Sequence, residues 1–324
     1  MQPVDSPYLV PTDGSFELSS VPTAPPSGDE DTWKKQLEKR RKRIAKLQRK
    51  LYADDRFSLL LVFQAMDAAG KDSTIRNVFS GVNPAGFQVY SFKQPSSEEL
   101  DHDFLWRSAR SLPERGRIGV FNRSYYEEVL VVRVHPEYLA GQKLPYTEDR
   151  EALWAQRYAS IRDHERHLAD NGTVVVKFWL NVSQREQRQR FIDRIDEADK
   201  NWKFSAGDVA ESKLWREYMD AYQTALRETS RDAAPWYAIP ADSKPFMRAT
   251  VADIVLRTLE AMPLRWPEPS RKDRDAMKRL RGELVAAQAK TAPKKKGASK
   301  PSGEKAAPKK ASVQKTSSKR RGKR

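Results

Sequence analysis

The sequence predicts an α/β protein in which helices cover both faces of a five-stranded parallel sheet. Five short apolar runs, almost without polar alternation, are separated by long helical stretches. Such runs are typical of strands buried on both faces of a parallel sheet, and their alternation with helices is typical of βαβ units. The predicted strands are residues 58–65, 87–92, 117–122, 173–180 and 236–241.

Helices are predicted before, between and after these strands. The first, over residues 31–51, can be capped by Asp31 or Thr32 and carries a narrow apolar stripe. Three prolines between residues 263 and 269 close the domain. The other predicted helices are residues 72–80, 96–111, 148–170, 183–197, 208–230 and 245–261.

Composition divides the chain of 324 residues into three parts. Residues 1–30 are predicted to form an arm that packs on the body through a few apolar side chains. Residues 31–269 form the main domain. Residues 270–324 form a basic tail, predicted to be disordered because its later part has no aromatic residue and cannot bury enough apolar surface. From Lys290 onward the tail carries about +13 of the formal charge of +16, so nucleic acid is one candidate ligand.

Several classes of protein are excluded by composition. The chain has no cysteine, so disulfide frameworks and thiolate metal sites are ruled out. Its first residues lack the basic and apolar regions of a signal peptide. No window approaches the roughly 20 apolar residues that a membrane span requires. We therefore expect a cytoplasmic protein with no membrane partner.

The turn after the first strand is predicted to bind phosphate. A Walker A loop has the pattern G-x-x-x-x-G-K-[ST]. Gly70 and Lys71 fit it, whereas Ala65 stands at the first glycine and Asp72 at the hydroxyl residue. The context of strand, loop and helix favours a phosphate loop, which we define as residues 65–70. An ordinary glycine turn is the alternative.

Backbone N–H groups and a helix N-terminus can surround an anion at such a loop, and Lys71 adds a mobile charge. Asp67 adds a carboxylate, and a carboxylate repels a neighbouring phosphate. The arrangement becomes favourable when a divalent cation lies between them or when the carboxylate accepts a proton from the phosphate nucleophile. We expect Asp67 to bridge a metal or activate the acceptor. Asp72 either lies at the phosphates or interacts with the helix dipole. The predicted phosphate contacts are Ala68, Ala69, Gly70, Lys71, Asp72 and Ser73.

The end of the third strand is predicted to contribute the next group of residues. Asn122 stands where a Walker B aspartate binds Mg²⁺, and its carbonyl oxygen is also a metal ligand. Arg123 is predicted to face the phosphates, because ligands bind at the carboxyl ends of parallel strands. The predicted nucleotide contacts are Asn122, Tyr126, Glu127 and Glu128.

Residues 183–215 are predicted to form a helical lid. Arg190 and Arg194 lie four residues apart and share one helix face, so they could close over phosphates as arginine fingers. A solvated face paired with nearby acids is the alternative.

Four stretches of the chain, in this order, resemble the polyphosphate kinase 2 family between about residues 32 and 266. These are AMDAAGKDSTIRNVF, FNRSYYEEVLVVRVHP, RFIDRIDEADKNWKFS and PWYAIPADSKPFMRA. The stretch FNRSYYEEVLVVRVHP most resembles the class III members, which phosphorylate both AMP and ADP with inorganic polyphosphate. In this family the altered loop is normal, and Asp67 and Lys71 match its functional loop residues. Asn122 and Arg123 match its Walker B positions.

The resemblance implies a P-loop kinase three-layer α/β/α sandwich, Mg²⁺ and a homo-oligomer, either a dimer or a tetramer. The expected reaction transfers the terminal phosphoryl group of polyphosphate to AMP or ADP, forming ADP and ATP. The alternatives are an ATP-dependent nucleoside monophosphate kinase and a protein that binds polyphosphate or nucleic acid through its tail. A polyanion requires a cationic lining. The predicted lining residues are Arg76, Lys93, Arg123, Arg133, Arg190 and Lys203.

Overall fold

The computed structural model describes residues 1–145 and 148–291, and of Lys203 only the backbone. The chain divides into two compact units, of which Met1–Pro267 contains the sheet. All five predicted strands are confirmed, each within one residue of its predicted ends. They are β1 (Ser58–Gln64), β2 (Phe87–Ser91), β3 (Ile118–Asn122), β4 (Thr173–Asn181) and β5 (Trp236–Pro240).

The sheet is entirely parallel and has the strand order β2-β3-β1-β4-β5. β1 lies at its centre, and all seven of its residues are buried. Phe63 near the end of β1 is opposite Asn122 of β3 on one side and Phe178 of β4 on the other. The chain winds from β1 toward β2 and β3 and later toward β4 and β5. This change of direction creates the crevice in which doubly wound sheets bind ligands.

Within Met1–Pro267, helices surround this sheet, and most of them lie where the sequence predicted them. α1 packs along the helix that follows β5, through apolar residues such as Leu37, Ile44 and Leu51. The helices are α1 (Glu30–Asp54), α2 (Lys71–Val78), α3 (Ser97–Leu100), α4 (Trp106–Ala109), α5 (Val131–Val134), α6 (Arg150–Asp170), α7 (Gln184–Asp196), α8 (Ala206–Glu211), α9 (Trp215–Thr229), α10 (Lys244–Ala261) and α11 (Arg271–Thr291).

Two predicted helices are wrong as continuous elements. The segment predicted as one helix over 96–111 forms only the single turns α3 and α4. Ser96 and Glu99 form a capping box, but the Asp103 carboxylate accepts from Leu105 N at 2.9 Å and makes a turn instead. The segment predicted as one helix over 208–230 instead contains α8, one 3-10 turn and α9. Ser205 caps α8, which therefore starts two residues before the predicted helix.

The N-terminal arm packs on the edge of the sheet beside β5. Val10 N donates to Trp236 O at 2.9 Å, and Ala238 N donates to Tyr8 O at 2.8 Å. Phe16 is 3% exposed and belongs to the core. The arm therefore shields backbone groups that an open sheet edge would leave available for pairing with another chain.

The predicted disorder of the tail is wrong for its first part. α11 is a helix over Arg271–Thr291, with acidic Asp273 in its first turn and basic Lys290 in its last. Charges in this arrangement complement the helix dipole, which the compositional argument did not consider. Residues 292–324, on which the rest of that prediction falls, lie outside the described residues.

A buried ionic network connects β4, α6 and the segment that follows β3. Lys177 on β4 is fully buried, and its Nζ donates to Glu165 of α6 at 2.5 Å and to the Tyr126 hydroxyl at 2.9 Å. The Tyr125 and Tyr126 hydroxyls both donate to Glu165 at 2.9 Å. Burial lowers the pKa of Lys177 to about 8, and Glu165 opposes that change. The network fixes the 3-10 segment Tyr125–Val129.

Removing one member of this network should cost more stability than removing both charges. We expect Lys177→Met to lower the free energy of unfolding by about 3–5 kcal/mol, because it leaves Glu165 buried without a cation. The double variant Lys177→Met/Glu165→Leu should recover most of this loss. Urea denaturation followed by circular dichroism measures both. Equal losses in the single and double variants would show that the ion pair is not the cause.

Candidate active site

The candidate site lies at the carboxyl end of β1. The phosphate loop turns through two left-handed residues, Ala68 with φ +60° and Gly70 with φ +105°. Ala69 N donates to Met66 O at 3.3 Å, and Thr74 N donates to Gly70 O at 3.0 Å, so α2 follows the loop directly. Left-handed backbone is unstrained for glycine, whereas for Ala68 it has to be imposed by surrounding contacts.

Lys71 is the first residue of α2, and its side chain points back under the loop. It is 8% exposed, and its Nζ donates to Ala65 O at 2.7 Å. Burial, and then the nearby charge of Arg123, lower its pKa, while the carboxylate of Asp67 has the opposite effect. The loop therefore holds a cation that is shielded from water, where its interaction with a phosphate is strong.

Arg123 and Asp67 bring the ends of β3 and β1 together. Arg123 has φ +63°, and its backbone N donates to Phe63 O at 3.0 Å. Its guanidinium lies 2.8 Å from the carboxylate of Asp67 and 3.7 Å from that of Glu127. Burial opposes its charge, but the two carboxylates raise its pKa. Arg123 and Lys71 thus supply two cations at the mouth of the phosphate loop.

Asn122 and Asp67 supply oxygen atoms that suit a divalent cation. The Asn122 amide donates to Asp72 at 2.6 Å and to the Ser91 hydroxyl at 3.3 Å. Its Oδ1 is shielded from solvent and has no hydrogen-bond partner within the described ranges. No group of three His, Cys or acidic residues that could hold a metal occurs in the described part of the chain. Mg²⁺ is usually held by one or two carboxylates together with substrate phosphates, and these residues fit that arrangement.

Arg190 has a different place from the predicted one. It is buried, and its guanidinium donates to Ala69 O at 2.7 Å and Ala68 O at 3.2 Å in the phosphate loop. It also donates to Ala241 O at 2.6 Å and Asp242 O at 3.2 Å after β5. The prediction that it contacts phosphate is corrected: its N–H groups bind backbone carbonyls, so it shapes the loop from behind.

Arg194, one turn further along α7, lies closer to the open side of the site. Its guanidinium donates to Asp208 of α8 at 3.0 Å. Burial raises the pKa of Asp208, and the charge of Asp67 raises it further. Arg194 therefore belongs to the electrostatic surroundings of Asp67, and its contact with phosphate stays a prediction.

Two of the four predicted nucleotide contacts belong to the core. Tyr126 is fully buried, and its hydroxyl is bound in the Lys177 network. Glu128 is 4% exposed, pairs with Arg157 at 3.1 Å and accepts from Gln142 at 2.6 Å. These two predictions are corrected because the polar atoms are already used inside the protein.

The other two predicted contacts, Asn122 and Glu127, face the site. The Glu127 carboxylate accepts from Gln64 Nε2 at 2.8 Å and lies 3.7 Å from the Arg123 guanidinium. Glu127 therefore lies among the charged groups at the ends of β1 and β3, and its contact with a nucleotide stays a prediction.

Only some of the residues predicted to line a polyphosphate channel lie near the phosphate loop. Arg76 is exposed on α2 and, together with Asp72 and Asn122, lines a cleft of ≈ 310 Å³. Arg133 instead donates to the Tyr158 hydroxyl at 3.2 Å and lies over an α6 tryptophan ring. Lys93 is exposed just after β2. The prediction for Lys203 falls on a side chain outside the described residues.

Sequence reasoning missed three residues that shape the site. The Gln187 amide donates to Asp67 O at 3.0 Å, and Gln64 binds Glu127. Asp208 binds Arg194. The only available signal was spacing, because Gln187 lies three residues before Arg190 and hence on the same face of α7.

These features define a class of protein. A P-loop-type phosphotransferase has a strand, a phosphate loop and a helix at the switch point of a parallel sheet, with a buried lysine at the start of the helix. This chain has all of these parts. The comparison with known proteins identifies the family. The family profile of polyphosphate kinase 2 (PPK2) matches residues 27–266, and the chain belongs to this family. The resemblance seen in the sequence is thereby confirmed.

Individual relatives agree with this assignment. An ADP-polyphosphate phosphotransferase of Rhodopseudomonas palustris is 54% identical over 244 residues, which are 75% of this chain and 84% of the relative. An AMP/ADP-polyphosphate phosphotransferase of Meiothermus ruber is 44% identical over 265 residues, covering 81% and 95%. The crystal structure of polyphosphate kinase 2 from Arthrobacter aurescens TC1 superposes with a TM-score of 0.76 at 38% identity, covering 85% of this chain and 96% of that one. The predicted fold class is confirmed.

None of the helices in the described ranges is both long and apolar enough to cross a membrane.

The role of Arg190 behind the loop can be tested by a conservative replacement. Arg190→Lys keeps the charge but cannot reach the carbonyls on both sides, so buried acceptors lose their donors. We expect the free energy of unfolding to fall by about 1–3 kcal/mol. Turnover should fall on the order of 10- to 100-fold, because the loop is displaced. Thermal denaturation and steady-state kinetics measure the two effects.

Arg188→Lys, at an exposed position of the same helix, is the matched control. A stable and fully active Arg190→Lys enzyme would contradict this role.

Proposed function

We propose that this protein transfers the terminal phosphoryl group of inorganic polyphosphate to AMP and ADP, forming ADP and ATP. The observation that carries the proposal is the meeting of Lys71, Asp67 and Arg123 at one phosphate loop in a PPK2 chain. The relatives from R. palustris and M. ruber, named for transfer between polyphosphate and ADP or AMP/ADP, support the same reaction.

In this reaction an oxygen of the acceptor phosphate attacks the terminal phosphorus of the chain. A new P–O bond forms, the bond to the next phosphate breaks, and the shortened chain leaves with the bonding electrons. Charge accumulates on the oxygens of the transferring group and on the leaving oxygen. Lys71 and Arg123 lie where they can stabilise this charge, and positioning with electrostatic stabilisation is the main requirement of phosphoryl transfer.

Mg²⁺ is the proposed cofactor. Asp67 and the amide oxygen of Asn122 would hold it, and when bound it neutralises phosphate charge and orients the two substrates. The carboxylate of Asp67 is bound to Arg123 at 2.8 Å, so Arg123 restricts the orientation of this carboxylate.

The cleft beside β2 is the proposed place for the acceptor nucleotide. Its volume of ≈ 310 Å³ falls at the lower end of the usual range for small-molecule sites. Phe79 and Phe87, whose rings stack with centroids 4.7 Å apart, form an apolar wall. Asp72 and Asn122 form the polar end next to the phosphate loop. An apolar wall with a polar end suits a base and its ribose.

The alternatives predict different substrates. An ATP-dependent nucleoside monophosphate kinase would use ATP with AMP and would not use polyphosphate. A nucleic-acid-binding protein would lose its function when residues after Lys290 are deleted, whereas turnover by a phosphotransferase would survive. The names of the relatives favour polyphosphate as donor. The homo-oligomer, the cytoplasmic location and the ligand of the tail stay predictions from the sequence.

A donor-swap assay tests the proposal. Purified protein with Mg²⁺ receives AMP or ADP together with either polyphosphate or ATP, and chromatography resolves the products. We expect ADP and ATP to form with polyphosphate, and Lys71→Ala to reduce turnover by about 10²-fold or more. Lys46→Ala, which removes an exposed lysine from α1, is the matched control. Near-normal turnover by Lys71→Ala would contradict the role of Lys71 in phosphoryl transfer.

The metal proposal has a separate readout. Asp67→Asn should raise the Mg²⁺ concentration needed for half-maximal turnover by roughly 10-fold or more, because a neutral amide binds the hard cation more weakly. Titrating Mg²⁺ at fixed polyphosphate and ADP gives this value. Excess EDTA should abolish turnover of the unmodified protein, and Mg²⁺ should restore it. An unchanged Mg²⁺ requirement in Asp67→Asn would exclude Asp67 as a ligand.

A further inference from the structure

The segment that follows β5 contacts the start of α7 through the side chain of Asp242. One oxygen of the Asp242 carboxylate accepts from Ser183 N at 2.7 Å. Ser183 is the N-cap of α7, and its hydroxyl accepts from Glu186 N at 3.1 Å. The first N–H groups of a helix have no partner within it, and a negative charge beside them is stabilised by the helix dipole. Asp242 therefore fixes the point at which α7 begins.

α7 in turn carries two side chains that hold the phosphate loop. Gln187 and Arg190 lie three residues apart and share one face of the helix. The Gln187 amide donates to Asp67 O at 3.0 Å. The Arg190 guanidinium donates to the carbonyls of residues 68 and 69 at 3.2 and 2.7 Å. Three consecutive carbonyls of the loop are thus bound from α7, so the position of this helix sets the position of the loop.

Asp242 is itself held in place by β4 and by the N-terminal arm. Asp242 N donates to Thr23 O of the arm at 3.0 Å, and Ala241 N donates to Asn181 O at the end of β4 at 2.9 Å. The buried Asn181 amide donates to the carbonyls of residues 21 and 22 at 3.2 and 3.3 Å. The segment that bears Asp242 is therefore tied to the arm, to β4 and to α7, and this restricts its movement.

We propose that Asp242 is a positioning residue for phosphoryl transfer, which acts on the phosphate loop through the N-cap of α7. The inference rests on the proposed function and adds a residue to it. Arg190 also donates to the Asp242 carbonyl at 3.2 Å, so the loop, α7 and the segment after β5 are joined at both ends of the same helix face. A displacement of about 1 Å in such a site can cost on the order of 10²-fold in rate, so loss of one of these contacts should lower turnover.

Two replacements at position 242 test whether the acceptor oxygen is the cause. Asp242→Ala removes the acceptor, and we expect kcat with polyphosphate and ADP to fall about 10-fold. The KM for ADP should stay within about twofold, because the cleft proposed for the acceptor lies beside β2, on the other side of β1. Asp242→Asn keeps an oxygen that can accept from Ser183 N. Its kcat should therefore lie within about threefold of the unmodified protein.

Asp232→Ala is the matched control. The Asp232 side chain is exposed and accepts from Thr12 Oγ1 of the arm at 2.8 Å, beside the opposite end of β5. This variant also removes a carboxylate that bonds a distant segment, but away from the phosphate loop, so kcat should be unchanged. Thermal denaturation gives the Tm of every variant. Kinetics are measured well below the lowest Tm, so that unfolded protein does not lower kcat.

The donor of the contact can be removed independently of the acceptor. Ser183 has φ −74°, which a proline ring allows, and proline has no N–H. Ser183→Pro therefore loses the N–H and the capping hydroxyl, whereas Ser183→Ala loses the hydroxyl alone. We expect kcat of Ser183→Pro to lie about 10-fold below that of Ser183→Ala. Combined with Asp242→Ala, the two replacements should give the same kcat within about twofold, because the acceptor is already absent.

The outcomes distinguish failure of the inference from failure of the proposed function. If the unmodified protein consumes polyphosphate while Asp242→Ala has the same kcat as Asp232→Ala, the inference is wrong and the proposed function stands. The same conclusion follows if the proline and alanine variants differ equally with and without Asp242, or if Asp242→Asn is as slow as Asp242→Ala. If the unmodified protein forms no ADP or ATP from polyphosphate, the proposed function is wrong and the inference falls with it.

Discussion

The hydrogen bonds from Arg190 hold the phosphate loop in place against the segment that follows β5. One guanidinium joins the carbonyls of residues 68 and 69 to those of residues 241 and 242, which lie more than 170 positions apart in sequence. The loop contains a left-handed alanine, and such a conformation persists only when surrounding contacts impose it. Arg190 supplies these contacts by holding the carbonyl oxygens of residues 68 and 69 from behind the loop.

The segment after β3 is also held in one position, and it carries Arg123, another cation of the site. Arg123 follows β3 directly, and the segment after it is anchored through Tyr126 to Lys177 and Glu165 in the core. A buried ion pair of this kind contributes little net stability, yet its polar atoms allow few alternative arrangements. The segment that bears Arg123 and Glu127 therefore has one position relative to β1. Two buried cationic side chains, Arg190 and Lys177, thus serve the site without facing a substrate.

Charge is divided unevenly around the phosphate loop. On the side of β3, the positive Arg123 forms ion pairs with the carboxylates of Asp67 and Glu127, which offset its charge. On the side of α10, Lys244 and Arg248 are positive and, among the described residues, form no ion pair with an acid. Lys244 and Arg248 therefore leave this side of the loop more positive than the side of β3.

The sheet, the position of the phosphate loop and the family could be predicted from the sequence, because apolar runs, a Gly-Lys pair after a strand and ordered motifs are local patterns. It also predicted Asp67, Lys71, Asn122 and Arg123 as site residues, and the structure places them together beyond the carboxyl ends of β1 and β3, while their roles stay predictions. Sequence patterns could not predict that Arg190 binds the loop from behind or that Tyr126 and Glu128 are buried. Helical spacing tells which residues share a face, but the partner of a long polar side chain depends on which distant segments fold against that face.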